Sequence, residues 1–256
     1  MTDNDTFPKS QPQAGAQAGS FHAEGRTVDA GRGWSWIVDA FALFRRQPGM
    51  WILTAVLLGI LFIAISLIPV LGSLASALLL PIFAAGLMLG CRDQDRGGEL
   101  AINHLFAGFK EKTGNLVMVG VFNLVGWMII ALALFAVVGG GVFMGIMRGG
   151  LHGAGISILS LILGVLLATG LSIPLYMATW FAPALIVMHD LPPGAALKAS
   201  FFACLKNFMP FLIYGLVLLL LGVLAAIPLG LGYLVLIPVV IASVYTGYRD
   251  IFCGGQ

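Results

Sequence analysis

Six long apolar stretches of this chain contain no Asp, Glu, Lys or Arg, and the charges gather in the gaps between them. A helix rising about 1.5 Å per residue needs about 20 residues to cross a hydrocarbon core of about 30 Å. The stretches at about 50–69, 71–91, 115–138, 156–188, 208–227 and 229–248 reach or exceed that length. With 59% hydrophobic and 9% charged residues among 256, a water-soluble fold could not cover its own apolar surface, whereas lipid requires no such cover. The expected fold is all-α: a polytopic membrane protein with six transmembrane helices.

The thirteen Lys and Arg residues orient the chain. With six spans, Arg45, Arg46, Arg92, Arg96, Lys110, Lys112, Lys198, Lys206 and Arg249 share one side with the N-terminal tail, and Arg148 stands alone on the other. The positive-inside rule then places both termini in the cytoplasm. The fourth stretch is long, and splitting it into two spans would send Lys198, Lys206 and Arg249 outside, against that rule. Pro174 and Pro183 suggest instead a kinked helix whose last turns, after Trp180, run along the cytoplasmic interface, a depth that Trp favours.

Residues 1–30, with the run KSQPQAGAQAGS, lack apolar periodicity and are expected to form a disordered cytoplasmic tail without a signal-peptide core. Residues 31–253 form the membrane domain. A net charge of +2 gives no footprint for a nucleic-acid partner. Cys91, Cys204 and Cys253, an odd set with no CxxC spacing, give no reason to expect a disulfide or a metal.

Three segments between spans are amphipathic. Trp34, Ile37, Phe41 and Phe44 recur at helical spacing and lead into Arg45 and Arg46. Ile102, Leu105, Phe106 and Phe109 precede Lys110 and Lys112, and Leu197, Phe201, Leu205 and Phe208 run beside Lys198 and Lys206. An apolar stripe with a basic end is what an in-plane helix presents to anionic headgroups. Each segment precedes a hairpin of spans, and each hairpin exits into a charged dipeptide: Arg92-Asp93, His189-Asp190 or Arg249-Asp250. LLLPIFAAGLMLGCRD (78–93) and VLIPVVIASVYTGYRD (235–250) match closely, each with Pro eleven residues before Arg. The pattern reads as three repeats of interfacial helix plus hairpin, about 31–93, 99–190 and 194–250.

Candidate sites each have a functional and a structural reading. Arg92, Arg249 and the other exit residues could converge on a headgroup, or simply end helices, where a cation meets the negative end of the helix dipole and the Asp pairs locally. The segment 139–155, with eight Gly among seventeen residues, reads as an outer loop. It could cradle an anion with Arg148, or dip Val142, Phe143, Ile146 and Met147 into the interface. Asn123, at membrane depth, could line a substrate path or bond across helices. The residues singled out for lipid or ligand contact are therefore Arg45, Arg46, Arg92, Lys110, Lys112, Arg148, Arg249 and Asn123. No nucleophile–base pair, carboxylate pair or metal cluster can be picked out, so neither catalysis nor a cofactor is expected.

At GRGWSWIVDAFALFRRQPGMWI (31–52), LPIFAAGLMLGCRD (80–93) and HLFAGFK (104–110) the chain resembles a family of six-helix inner-membrane proteins of proteobacteria, across roughly 25–252. The resemblance implies the fold and the location and carries no assigned activity. More loosely, the hairpin layout is similar to the YciC-like proteins and to the membrane domain of some bacterial glycerophosphodiester phosphodiesterases, although none of that enzyme's acidic metal ligands can be matched here. Two functions follow as expectations. The first is a non-enzymatic membrane module organising lipids, anionic ones among them, or a protein partner. The second is a small transporter or channel for an uncharged or amphiphilic solute.

Overall fold

The computed structural model describes residues 21–254. Its helices are α1 (Arg32–Arg46), α2 (Pro48–Ser66), α3 (Leu71–Asp95), a 3-10 helix (Ile102–Phe109), α4 (Thr113–Arg148), α5 (Gly150–Trp180), α6 (Ala182–His189), α7 (Pro193–Lys206), α8 (Phe208–Ala226) and α9 (Tyr233–Phe252), with no strand among the described residues. Six of them, counting α5 and α6 together, are long and apolar enough to cross a membrane. An even number of crossings returns the chain to its starting side. One end of the bundle therefore holds α1, the 3-10 helix, α7, and both described ends of the chain; we call it the basic end.

α3 and α9 form the centre. α3 packs on α4, the 3-10 helix, α6 and α9, while α9 packs mainly on α1. Pro81 and Pro238 are both buried inside these two helices. The AAGLMLG stretch of α3 has a steric purpose. A Cβ on Gly86 would lie 2.3 Å from the His104 carbonyl oxygen, and one on Gly108 of the 3-10 helix only 2.0 Å from that of Ile82. The two backbones touch there, which small residues alone permit.

The amphipathic segments do not simply lie on the surface. α1 buries Trp36, Ile37, Ala40, Leu43 and Phe44, while Trp34 and Phe41 stay 52% and 43% exposed. The expected stripe is thus divided between two faces, because Trp36 and Leu43 define a second row that meets α9 and α8. The middle segment is a 3-10 helix with Leu105 inside and Ile102, Phe106 and Phe109 outside. α7 buries Ala196, Ser200, Ala203 and Cys204 and leaves Leu205 exposed.

Three further expectations need correction. The Gly-rich segment 139–155 is not a loop: α4 continues to Arg148 and α5 begins at Gly150, so the turn is Gly149–Gly150, both at positive φ. Its glycines are an interface. A Cβ on Gly141 would meet Ser160, and one on Gly145 would lie 2.1 Å from Ser157 Oγ, so α4 and α5 pack backbone to backbone. The fourth stretch does break after Trp180, but α6 packs into the bundle, with Ala182 to Ile186 buried, rather than lying along an interface. Of the tail expected over 1–30, residues 1–20 lie outside the described residues. Residues 21–30, by contrast, form an ordered strap against α9 and Asn207.

Candidate functional site

At the basic end, the last turn of α9 carries Asp250, a residue only 2% exposed. Arg26 donates to Oδ1 (2.9 Å), while Arg32 and the Trp36 indole donate to Oδ2 (2.6 and 2.9 Å). The strap follows the same line: the backbone N–H groups of His22 and Arg26 donate to the carbonyls of Phe252 and Ile251, and Val28 N–H donates to Asn207 Oδ1. A carboxylate this buried is tolerable only because three donors occupy its lone pairs.

α3 ends in a second polar group. Arg249 grips both Asp95 oxygens at 2.7 Å, and Tyr245 OH adds a bond of 3.0 Å. With Asp39 and Arg46 this pair lines a polar recess of about 180 Å³. Beside it, Gln94 Oε1 accepts from the Trp51 indole (3.1 Å), and Arg46 donates to the Gln94 carbonyl (2.7 Å). His104 bridges two elements of this end, with Nδ1 3.0 Å from the Ala101 amide nitrogen and Nε2 3.1 Å from Asp93 Oδ2.

The exit dipeptides therefore differ from one another. Arg92 pairs with its neighbour Asp93 at 3.3 Å, the local arrangement expected at a helix end. His189 instead meets Tyr248 and stacks on Phe21, while Asp190 pairs with Lys112, whose pKa is raised by that hydrogen bond and charge. Arg249 and Asp250 look in separate directions, each tying α9 to another element. They do not converge on one ligand site.

The remaining expected residues are scattered. Arg45 lies over the Phe41 ring at 6.0 Å, and Lys110 is exposed just past Phe109. Neither has an ion-pair partner among the described residues, and the same holds for Arg96 and Lys198. Lys198 was not singled out from sequence. It borders a shallow apolar groove of about 390 Å³ between α4, α5 and α7, walled by Phe122, Pro174, Leu197 and Phe201. Only the packing of α7 across the hairpin creates that groove. Arg148 sits at the opposite end of α4, exposed. The N–H groups of Gly149 and Gly153 are already bonded to helix carbonyls, so they offer no cradle for an anion.

At membrane depth, Ser66, Ser172 and Thr179 donate back to the preceding turn. Asn123 and Thr54 do not: Asn123 Oδ1 and Thr54 Oγ1 are buried without a partner. An unpaired buried polar atom costs about 1–3 kcal/mol. Among the described residues no group of His, Cys, Asp and Glu could hold a metal ion. Cys204 is buried on α7, and that burial pushes its thiol up to about 12.

Neither a family model nor a solved structure matches this chain. A probable inner membrane protein of Burkholderia thailandensis is 33% identical over 250 residues, covering 88% of this chain and 92% of that relative. The chain belongs to the same inner-membrane protein family. Its six apolar helices are thus at home in a bilayer, and the exposed Leu, Ile and Val side chains on α2, α4, α5 and α8 are lipid-facing surface rather than an exposed core. Trp34, Phe41, Phe106 and Phe202 are exposed at the same end of the bundle as Arg45, Lys110 and Lys198.

Proposed function

We propose that this inner-membrane protein is a non-enzymatic module that binds and organises anionic lipids on its basic, cytoplasmic face. The observation that carries the reading is the groove ending at Lys198: apolar walls suited to an acyl chain, closed by an ammonium with no acid partner among the described residues. Arg45 and Lys110, also without acid partners beside exposed aromatics, extend the same chemistry around the basic end. An unpaired cation at that level attracts anionic headgroups by about 1 kcal/mol. Arg46, Lys112 and Arg249 contribute less, because Gln94, Asp190 and Asp95 already engage them.

The segments 78–93 and 235–250 become α3 and α9, the two central helices, which supports reading the chain as repeated units of short helix plus hairpin. The looser likeness to the YciC-like proteins and to the phosphodiesterase membrane domain fits a lipid-associated role as analogy. The transporter reading draws its support from Asn123, whose oxygen is buried without a hydrogen-bond partner within the membrane-spanning α4.

Native mass spectrometry of protein extracted with its lipids tests the proposal. The wild type should retain phosphatidylglycerol or cardiolipin over phosphatidylethanolamine. The triple variant Arg45→Glu, Lys110→Glu, Lys198→Glu should lose that preference by about a hundredfold, on the order of 3 kcal/mol for three cations. An unchanged preference refutes the reading.

A further inference from the structure

A cavity of about 450 Å³ lies between the central helices and the middle hairpin. α3 contributes Pro81 and Leu87, α4 Asn123, α5 Tyr176 and Thr179, and α9 Val240. Its size falls within the roughly 300–1,000 Å³ of small-molecule sites. Tyr176 and Leu80, on its border, are half-exposed on the apolar flank of the bundle, so the mouth opens sideways, toward the hydrocarbon.

We infer that this cavity is a binding site for an uncharged lipid whose head carries a hydroxyl group, entering from within the bilayer. Three observations set that chemistry. Among the described residues no Asp, Glu, Lys, Arg or His lines the cavity, so a charged head would enter without a counter-ion, which an apolar surrounding penalises. The walls are otherwise aliphatic and aromatic, which suits a chain or ring body. Among the described residues that line the cavity, the buried polar atom without a partner is Asn123 Oδ1, an acceptor. A carboxamide presents an acceptor and donors side by side, and a hydroxyl can donate to the first while accepting from the second. A purely accepting head, such as a quinone or a fully esterified glycerol, would leave Oδ1 unpaired. Thr179 Oγ1 donates to the Leu175 carbonyl (3.0 Å), so toward the cavity it can only accept. The cavity holds the head and the first part of a chain, and the remainder extends through the mouth into lipid. The site is distinct from the cationic groove: it takes a neutral head, on other residues.

Two lipids share this chemistry, a diacylglycerol and a prenyl alcohol. The full chain in phosphatidylcholine nanodiscs is exposed to a photoactivatable dioleoylglycerol, and competitors are added. Crosslinks should map to α3, α4 and α5 around the cavity. Unlabelled dioleoylglycerol or farnesol should displace the probe, and whichever competes at lower concentration identifies the source. Dioleoylglycerol capped as its methyl ether should compete at least tenfold less well. Asn123→Leu should weaken probe binding at least tenfold and abolish the distinction between free and capped heads, without lowering the melting temperature of the lipid-free protein. Ala84→Phe, which fills the space from α3, should block crosslinking altogether. Equal competition by the capped lipid, or unchanged binding in Asn123→Leu, overturns the assignment. Because Arg45, Lys110 and Lys198 are absent from the cavity, their charge reversal should leave this binding intact, so the two proposals fail independently.

Discussion

α3 and α9 each bury 56% of their most apolar window, whereas for α4 and for α5 with α6 the figures are 6% and 11%. Hydropathy runs the opposite way: 2.1 and 1.4 for the buried pair, 2.5 and 2.4 for the exposed hairpin. In water this ordering would make no sense. In a bilayer it follows from what each surface can accept. Lipid satisfies Leu, Ile and Val as well as a protein core does, so the most apolar helices gain little by leaving it. Gln94, Ser243, Thr246 and Asp250 on α3 and α9 cannot be satisfied by lipid, so those helices turn inward, where Trp51, Tyr214, the Trp36 carbonyl, Arg26 and Arg32 supply partners. Polar groups, together with backbone-contact glycines, select the centre of this molecule. The hairpin holds itself together differently, by Gly141, Gly145, Gly153, Ser157 and Ser160 meshing between two helices that otherwise face lipid.

The sharpest way to break this contrast is to remove its anchoring carboxylate. Asp250→Ala strips Arg26, Arg32 and Trp36 of their acceptor and should destabilise the protein by about 3–5 kcal/mol, the range for breaking a buried ion pair. The thermal midpoint in mild detergent should fall accordingly, and a midpoint within a degree of wild type would mean the centre is not held by its polar groups. Next in size is a paired alanine comparison. Leu185, fully buried on α6, should lose about 2–5 kcal/mol on truncation. Leu166, exposed on α5, should change by no more than about 0.5 kcal/mol. Equal losses at the two positions would erase the distinction between centre and flank. Gly145→Leu, which overpacks the hairpin tip, should cost about 1–3 kcal/mol. Its signature is local: faster proteolysis near Gly149–Gly150 while Trp36 fluorescence, reporting the Asp250 cluster, stays unchanged.

Charge-free runs and Lys/Arg placement sufficed to locate six spans and the side on which the cations collect, because the cost of charge in hydrocarbon is a one-dimensional rule, while Pro174 and Pro183 in an overlong stretch marked the break near Trp180. The similar segments 78–93 and 235–250, read from sequence as marks of a repeat, lie in α3 and α9, whose central position the similarity did not indicate. The glycines of 139–155 misled. High glycine content in isolation signals a loop, and only the facing Ser157 and Ser160 reveal a packing seam. The amphipathic stripe of α1 was half legible: Ile37 and Phe44 are inside, but Trp36, the most consequential residue of that helix, lies off the stripe.

Hydrophobicity acts residue by residue and could be summed along the chain, and that alone determined the number of crossings and the class of fold. Which polar groups meet could not be summed in that way. Asp250 finds Arg26 from 224 positions away, and Arg249 finds Asp95 from 154. Lys198 meets Phe122 only because α7 lies across the hairpin, and Asn123 is left without a partner only because α3, α5 and α9 close around it. Hydrogen bonds and cavities are properties of pairs and sets of residues, and in this bundle the packing of α3 and α9 at the centre and of α7 across the hairpin decided both.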